Sequence, residues 1–118
     1  MINLISSSRY KLDRKKIRKI VTDFLLEKGY PKETTINIVM VGKNKMRTIS
    51  AKYKQEDLAL PVLSFSYEDQ KKFMSKDYPL GEVLICYPQA VLLAAQRNRK
   101  VEETLVKLIK HGVENIIK

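Results

Sequence analysis

The stretch Thr34-Thr35-Ile36-Asn37-Ile38-Val39-Met40-Val41 decides the fold class, because its alternating and largely β-branched residues predict a strand that Gly42 ends. The residues on both sides change to helical spacing. Before the strand, apolar residues from Ile17 to Leu25 recur at i, i+3, i+4, i+7 and i+8, and Asp13 suits a helix cap. After the strand, Asn44 to Tyr53 predicts a second helix. The centre of the chain is therefore helix, strand, helix.

The rest of the chain adds shorter strands and two more helices. The predicted elements are the strands Asn3 to Ser6, Val62 to Phe65 and Glu82 to Cys86, and the helices Pro88 to about Arg97 and about Val101 onward. The charged segment Glu68 to Tyr78 suits an exposed loop or a short helical turn. The order β-α-β-α-β-β-α-α predicts one α+β domain over residues 1–118, with a small mixed β-sheet packed with helices.

The charge of the chain favours a polyanionic partner. Lysine and arginine outnumber aspartate and glutamate by 23 to 13, which gives a formal net charge of +10. RNA or DNA would suit such a surplus, although a membrane surface or solubility alone would also fit it, and no preference for DNA can be inferred. The candidate RNA-binding residues lie on the first helix, on the face away from the core: Arg14, Lys15, Lys16, Arg18 and Lys19. For any single one of them, a solvated helix face is an equal alternative.

Composition disfavours several other classes of protein. The apolar fraction of 44% is typical of a globular chain, and no apolar run approaches the roughly 18 residues that cross a bilayer. The start, Met1 to Ser6, lacks a basic region ahead of a long apolar segment, so we expect a cytoplasmic protein without a membrane partner. The single cysteine, Cys86, is expected to be a small buried hydrophobe. Ser64 lacks the glycines of a nucleophile elbow, and the four glycines form no phosphate loop.

Four segments and one motif carry a family resemblance. The segments are Ile36 to Val41, Ile49 to Lys54, Val62 to Phe65 and Leu80 to Ile85, and the motif is His111-Gly112. In their order and spacing they resemble the bacterial YbeY family. The resemblance implies a zinc-dependent hydrolase that cleaves single-stranded RNA and acts in ribosomal RNA maturation. It also implies a helix with a His-Gly-x-x-His motif, followed by a third histidine in a tail.

The chain departs from this family at the positions that carry the chemistry. His111 occupies the first ligand position, but Asn115 occupies the second, and a neutral amide is a poor zinc ligand. The sequence ends before the third position. We therefore expect no family-type zinc site, while a weakly bound divalent ion is left open. Glu114 is offset by about one hundred degrees around the helix and is not expected to replace the missing ligand. A ligand set of His111, Glu82 and Cys86 is conceivable, although Cys86 is expected to face the core.

Two further departures alter the expected phosphate contacts. Lys54 stands where the family commonly has arginine, which keeps the positive charge but loses a planar, bidentate fork. Leu60-Pro61 stands where the family has Thr-Asp, which removes an orienting carboxylate. His111 is nevertheless expected to face a cleft beside Lys54 and the strand of Ser64.

The sequence leaves two roles open for His111. A lone histidine on a helix is by default structural, at the edge of a core. In the cleft, it would instead act as general base for attack by a ribose 2′-hydroxyl, with Lys54 stabilising the phosphorane charge. His111 and Lys54 are therefore the predicted catalytic residues, and Lys54 and Ser64 join the predicted RNA-binding set.

The predicted function is a single-strand-specific endoribonuclease in ribosomal RNA maturation, working without the family-type zinc site. Its expected partner is ribosomal RNA or a ribosomal subunit. The alternative is a non-catalytic RNA- or ribosome-binding factor that has lost the metal site. Asn115 favours the binding factor, whereas His111 and Lys54 favour the enzyme.

Overall fold

The elements of the structure, a computed structural model, follow the order predicted from the sequence. Residues 1–67 and 79–117 are described. Within them the elements are β1 (Ile2–Ile5), α1 (Arg14–Glu27), β2 (Ile36–Val41), α2 (Lys43–Tyr53), β3 (Val62–Ser66), β4 (Gly81–Cys86), α3 (Tyr87–Gln96) and α4 (Val101–Ile117). The predicted α+β class is confirmed, and each boundary lies within two residues of its predicted position. The predicted loop or turn Glu68 to Tyr78 lies outside the described residues.

The strands form one mixed sheet in the order β1-β2-β4-β3. The pairs β1-β2 and β2-β4 are parallel, whereas β3 runs antiparallel to β4. β3 is therefore an edge strand, with Ser64 opposite Val83 and Phe65 opposite Glu82. Leu63 of this strand is buried, whereas Ser64 and Phe65 are partly exposed and Ser66 is exposed.

Alternation along the strands divides the core between the two faces of the sheet. One face packs against α1 and α4 through a large cluster that includes Ile17, Val21, Ile36, Ile38, Val83, Ile85, Ile109 and Val113. The other face packs against α2 through a smaller cluster that includes Val41, Met46, Leu63, Leu84 and Cys86. Each fully buried aliphatic side chain stabilises the fold by about 1.5–3 kcal/mol. None of the described helices is long and apolar enough to cross a bilayer.

The ends of α1 show why this helix has the predicted length. Asp13 Oδ1 accepts a hydrogen bond of 3.1 Å from the backbone N–H of Lys16, which satisfies a free donor of the first turn. At the other end Gly29 has a φ of 90°, a conformation that favours glycine. The Tyr30 N–H then donates to the Leu25 carbonyl at 3.0 Å. Both the cap and the closing glycine are as predicted.

Candidate functional site

A groove of about 550 Å³ lies between the end of α2, the edge strand β3 and the second half of α4. Its polar lining consists of Lys54, Glu56, Ser64, Ser66, His111 and Asn115. Its apolar lining consists of Leu60, Val62, Leu63 and Ile116. The groove brings together His111, Lys54 and Ser64, so the predicted placement of His111 in a cleft beside Lys54 is confirmed. The chemical roles of these residues stay predictions.

Gly112 allows α4 to lie directly against the sheet beside His111. A Cβ atom at this position would stand 2.5 Å from Val83 Cγ1 and 3.2 Å from Val62 Cγ2, which is closer than side-chain carbons pack. The Ser64 hydroxyl donates a hydrogen bond of 2.8 Å to the Gly112 carbonyl and so ties α4 to β3. The helical turn that carries His111 is therefore fixed against the sheet, while the His111 side chain is exposed in the groove.

Lys54 reaches the groove from the end of α2. Its backbone N–H donates to the Ser50 carbonyl at 2.9 Å and ends the helix. Gln55 follows with a positive φ of 56°, which reverses the direction of the chain. Lys54 is exposed, and among the described residues it forms no ion pair. Its ammonium group is therefore available to an anionic ligand in the groove.

The segment between α2 and β3 is held in place by side chains from two helices. Arg47 donates two hydrogen bonds to the Asp57 carboxylate, at 3.0 and 3.3 Å. The hydrogen bond from this arginine and its charge hold the pKa of Asp57 below the ordinary value. Gln89 Nε2 donates to the Ala59 carbonyl at 2.7 Å. These contacts fix the segment that brings Glu56 to the groove.

Among the described residues that line the groove, His111 and Glu56 carry side chains of the kind that binds zinc. His111 and Asn115 face the groove from successive turns of α4, but Asn115 offers an amide in place of an imidazole. Glu114 is exposed and is not among the residues that line the groove, as its offset around the helix predicted. In the stretches 1–67 and 79–117, no three histidine, cysteine, aspartate or glutamate side chains are grouped as metal ligands.

The side chains of His111, Glu82 and Cys86, the conceivable ligand set, are not grouped as metal ligands, and Cys86 faces the core as expected. Glu82 and Cys86 alternate along β4 with Val83, whose side chain packs on the α4 side of the sheet, so both point to the α2 side. Cys86 is fully buried there, and burial raises the pKa of its thiol. The sheet separates both side chains from the groove beside His111.

The predicted RNA-binding residues of α1 differ in their contacts. The Arg14 guanidinium donates to the Leu4 carbonyl at 2.8 Å and to the Ser6 carbonyl at 3.3 Å, which joins α1 to the end of β1. Lys15 and Arg18 are exposed and, within the described residues, take part in no ion pair. The residues that line the groove include none from α1 in the described part of the chain.

Two lysines of the same helix are paired with carboxylates. Lys16 Nζ lies 2.6 Å from Glu102 Oε1, and this hydrogen bond and the charge of Glu102 raise the pKa of Lys16. Lys19 Nζ lies 2.9 Å from Asp23 Oδ2, one turn along the helix. Exposed pairs of this kind are weak, so RNA phosphates would compete with the carboxylates for both lysines.

Sequence reasoning did not assign two polar residues of the groove or an aromatic pair beside it. Glu56 and Ser66 belong to its lining. Tyr53 and Phe65 pack edge to face beside it, with ring centroids 5.1 Å apart and an interplanar angle of 72°. The alternation of β3 could have placed Ser66 with Ser64. Glu56 lies in an irregular segment that carries no periodic signal.

The fold of the chain matches a solved structure. It is similar to the solution structure of TM1509 from Thermotoga maritima, with a TM-score of 0.66 and 17% sequence identity. The match covers 96% of this chain and 69% of that chain. At this identity the likeness shows the fold.

Relatives of known family show the class of protein. The family described as endoribonuclease YbeY matches residues 4–114. A protein named endoribonuclease YbeY from Dehalococcoides mccartyi is 30% identical, over 98% of this chain and 78% of that protein. Another of the same name, from Acinetobacter baumannii, is 26% identical, over 94% of this chain and 72% of that protein. The chain belongs to the YbeY endoribonuclease family, which confirms the predicted resemblance.

Proposed function

We propose that this chain cleaves single-stranded RNA in ribosomal RNA maturation, without the family's zinc site. The observation that supports the proposal is the groove, whose lining includes His111, Lys54 and Asn115. By the family resemblance, Asn115 stands at the position of the second zinc ligand. Ribosomal RNA or a ribosomal subunit is the proposed partner, which implies a cytoplasmic protein. The net charge of +10 supports a polyanionic substrate.

The proposed reaction uses the RNA's own 2′-hydroxyl as nucleophile. His111 takes the proton of this hydroxyl while its oxygen bonds to phosphorus. The bond from phosphorus to the 5′-oxygen breaks, and the imidazolium returns the proton to that oxygen. The products are a 2′,3′-cyclic phosphate and a 5′-hydroxyl. Lys54 stabilises the negative charge that develops on the phosphorane oxygens.

The position of His111 supports this role over a structural one. A structural histidine is usually enclosed by its neighbours, with its ring nitrogens hydrogen-bonded inside the protein. The His111 side chain is exposed and lines a groove that also holds a lysine. A substrate phosphate at Lys54 would therefore bring the adjacent ribose within the same groove as the imidazole.

The second candidate is a binding factor that does not cleave RNA. Asn115 favours it, because replacing a metal ligand by an amide is the change expected when zinc chemistry is lost. The same groove and the same cations would then hold RNA without reaction. A weakly bound divalent ion is compatible with either candidate.

Metal analysis tests the zinc-free part of the proposal. Purified wild-type protein is assayed for zinc beside the variant Asn115→His, which places two imidazoles at i and i+4 on one face of α4. We expect far less than one zinc per chain in the wild type and tighter zinc binding in the variant. One zinc per chain in the wild type would contradict the proposal.

Cleavage assays separate the two candidates. The substrates are a single-stranded RNA and a duplex that contains the same strand. Cleavage of the single strand, with the duplex left intact, supports the endoribonuclease. Salt-sensitive binding without cleavage supports the binding factor.

A further inference from the structure

We propose that Tyr53 is a stacking platform for an unpaired base of the RNA that occupies the groove. The proposal rests on the proposed RNA function, in either its catalytic or its binding form. It assigns to Tyr53 the selection of single-stranded over double-stranded RNA.

The exposure and the fixed orientation of the Tyr53 ring support this role. Tyr53 is 56% exposed, although an aromatic ring of this size gains stability when it is buried. Its ring is nevertheless held in place, because it packs edge to face on Phe65 with 5.1 Å between centroids. A ring that is already fixed loses little conformational freedom when a base stacks on it.

The position of Tyr53 connects it to the groove. It directly precedes Lys54, which lines the groove. Its packing partner Phe65 lies between Ser64 and Ser66, which also line the groove. Phe65 faces the α2 side of β3, whereas Ser64 faces α4. RNA that extends from the groove over the edge of β3 to its α2 side would therefore reach the Tyr53 ring.

The charges around the ring fit a nucleotide. Lys52 Nζ lies over the Tyr53 ring, 5.4 Å from its centroid, so a base stacks on the opposite face or displaces this ammonium toward its phosphate; Lys54 follows in the chain. Of the carboxylates in this region, Asp57 is paired with Arg47 at 3.0 Å, Glu82 accepts a hydrogen bond of 3.1 Å from the Tyr67 hydroxyl, and Glu56 lines the groove. The phosphates on the two sides of a stacked base would thus meet lysines, as at the platforms that bind single-stranded nucleic acid.

Stacking on Tyr53 also explains a preference for single strands. An unpaired base can leave its neighbours and lie on a side-chain ring, whereas a base in a duplex is already stacked on both faces. Every base has a π-face, so the platform adds affinity without reading the sequence.

The test measures RNA affinity at fixed salt for the wild type, Tyr53→Leu, Tyr53→Phe and the control Leu92→Ala. Leucine keeps an apolar contact with Phe65 but offers no ring, whereas phenylalanine restores the ring. Leu92→Ala is the matched control, because it removes an apolar side chain of α3 that is 51% exposed. A single strand that carries 2-aminopurine reports stacking through quenching of its fluorescence.

We expect Tyr53→Leu to bind the single strand about tenfold more weakly, with the duplex affinity and the salt dependence unchanged, since stacking releases no counterions. Quenching should be lost in this variant and recovered in Tyr53→Phe. Wild-type affinity of Tyr53→Leu, or an equal loss for strand and duplex, would overturn the platform while the proposed function stands. A wild type that binds no single-stranded RNA would overturn both.

Discussion

His111 depends on its neighbour Gly112 for its place in the groove. We predict that Gly112→Ala lowers the free energy of unfolding by about 1–3 kcal/mol, because the added methyl group overlaps Val83 and forces α4 away from the sheet. Denaturant unfolding measures the change. The control is Asn115→Ala, an exposed position of the same helix, which should leave stability within about 0.5 kcal/mol of the wild type. Equal stability of Gly112→Ala and wild type would contradict the close packing of α4.

The proposed chemistry predicts how the cleavage rate responds to substitutions at the two proposed catalytic residues. His111→Ala should reduce the cleavage rate by about 10²–10⁴-fold, the usual contribution of general acid-base catalysis. Lys54→Ala should also slow cleavage, whereas Lys54→Arg should retain or improve it, since arginine offers a bidentate fork to phosphate. Single-turnover rates measure these effects, after circular dichroism has shown that each variant is folded.

Lys107→Ala is the matched control for Lys54→Ala, because it removes an exposed lysine of α4 outside the groove lining. Its cleavage rate should equal that of the wild type. Full activity of His111→Ala would reject the acid-base mechanism.

Sequence reasoning located some residues of the groove and not others. His111 and Lys54 were found through motifs that a family resemblance could align, and Asn115 through helical spacing from His111. The hydrogen bond between Ser64 and Gly112 joins residues 48 positions apart and follows from how α4 packs on β3, which no local pattern encodes. Glu56 reaches the groove through a segment held by tertiary contacts, so its position could not be predicted either.

At the level of elements, the proposed role of α1 in RNA binding can be tested by neutralising its basic side chains. We predict that replacing Lys15 and Arg18 together by glutamine weakens binding to single-stranded RNA. The slope of log affinity against log salt concentration should become shallower by about 0.7 for each RNA phosphate that the variant no longer neutralises. The matched control replaces Lys16 and Lys19 together by glutamine, because their ammonium groups already lie on carboxylates.

Binding measured over a series of salt concentrations gives the slope for each pair. Replacing Lys16 and Lys19 should make this slope shallower by a smaller amount than replacing Lys15 and Arg18 does. An unchanged affinity and slope in both double variants would show that the basic side of α1 is only a solvated surface.

Local patterns determined the elements well, because period-two and period-3.6 spacing report burial directly. The strand Ile36 to Val41 and the helix capped by Asp13 are examples. The sheet order β1-β2-β4-β3 could not be predicted from such patterns, because it depends on pairings between strands that are distant in the sequence. The division of the helices, with α2 on one face and α1 and α4 on the other, likewise emerges only from packing.

At the scale of the whole molecule, the chain keeps the scaffold of the family, and we propose that its metal chemistry is altered. The chain matches the family along residues 4–114, and its sheet and helices hold the groove where the family's motif lies. The proposed change lies at Asn115, on a helix that Gly112 and Ser64 hold against the sheet. From the retained groove and the amide at Asn115 we infer a reaction in which the ribose hydroxyl, and not a metal-activated water, attacks the phosphate.

The most direct test of this account is the rate of cleavage of a single-stranded RNA in excess EDTA. The RNA is compared with one that carries a 2′-deoxy sugar at the mapped cleavage position. The account predicts that the unmodified RNA is cleaved at the same rate with and without EDTA, leaving a 2′,3′-cyclic phosphate, and that the deoxy-substituted RNA is not cleaved. Loss of cleavage in EDTA with recovery on adding zinc, or equal cleavage of both RNAs, would contradict it.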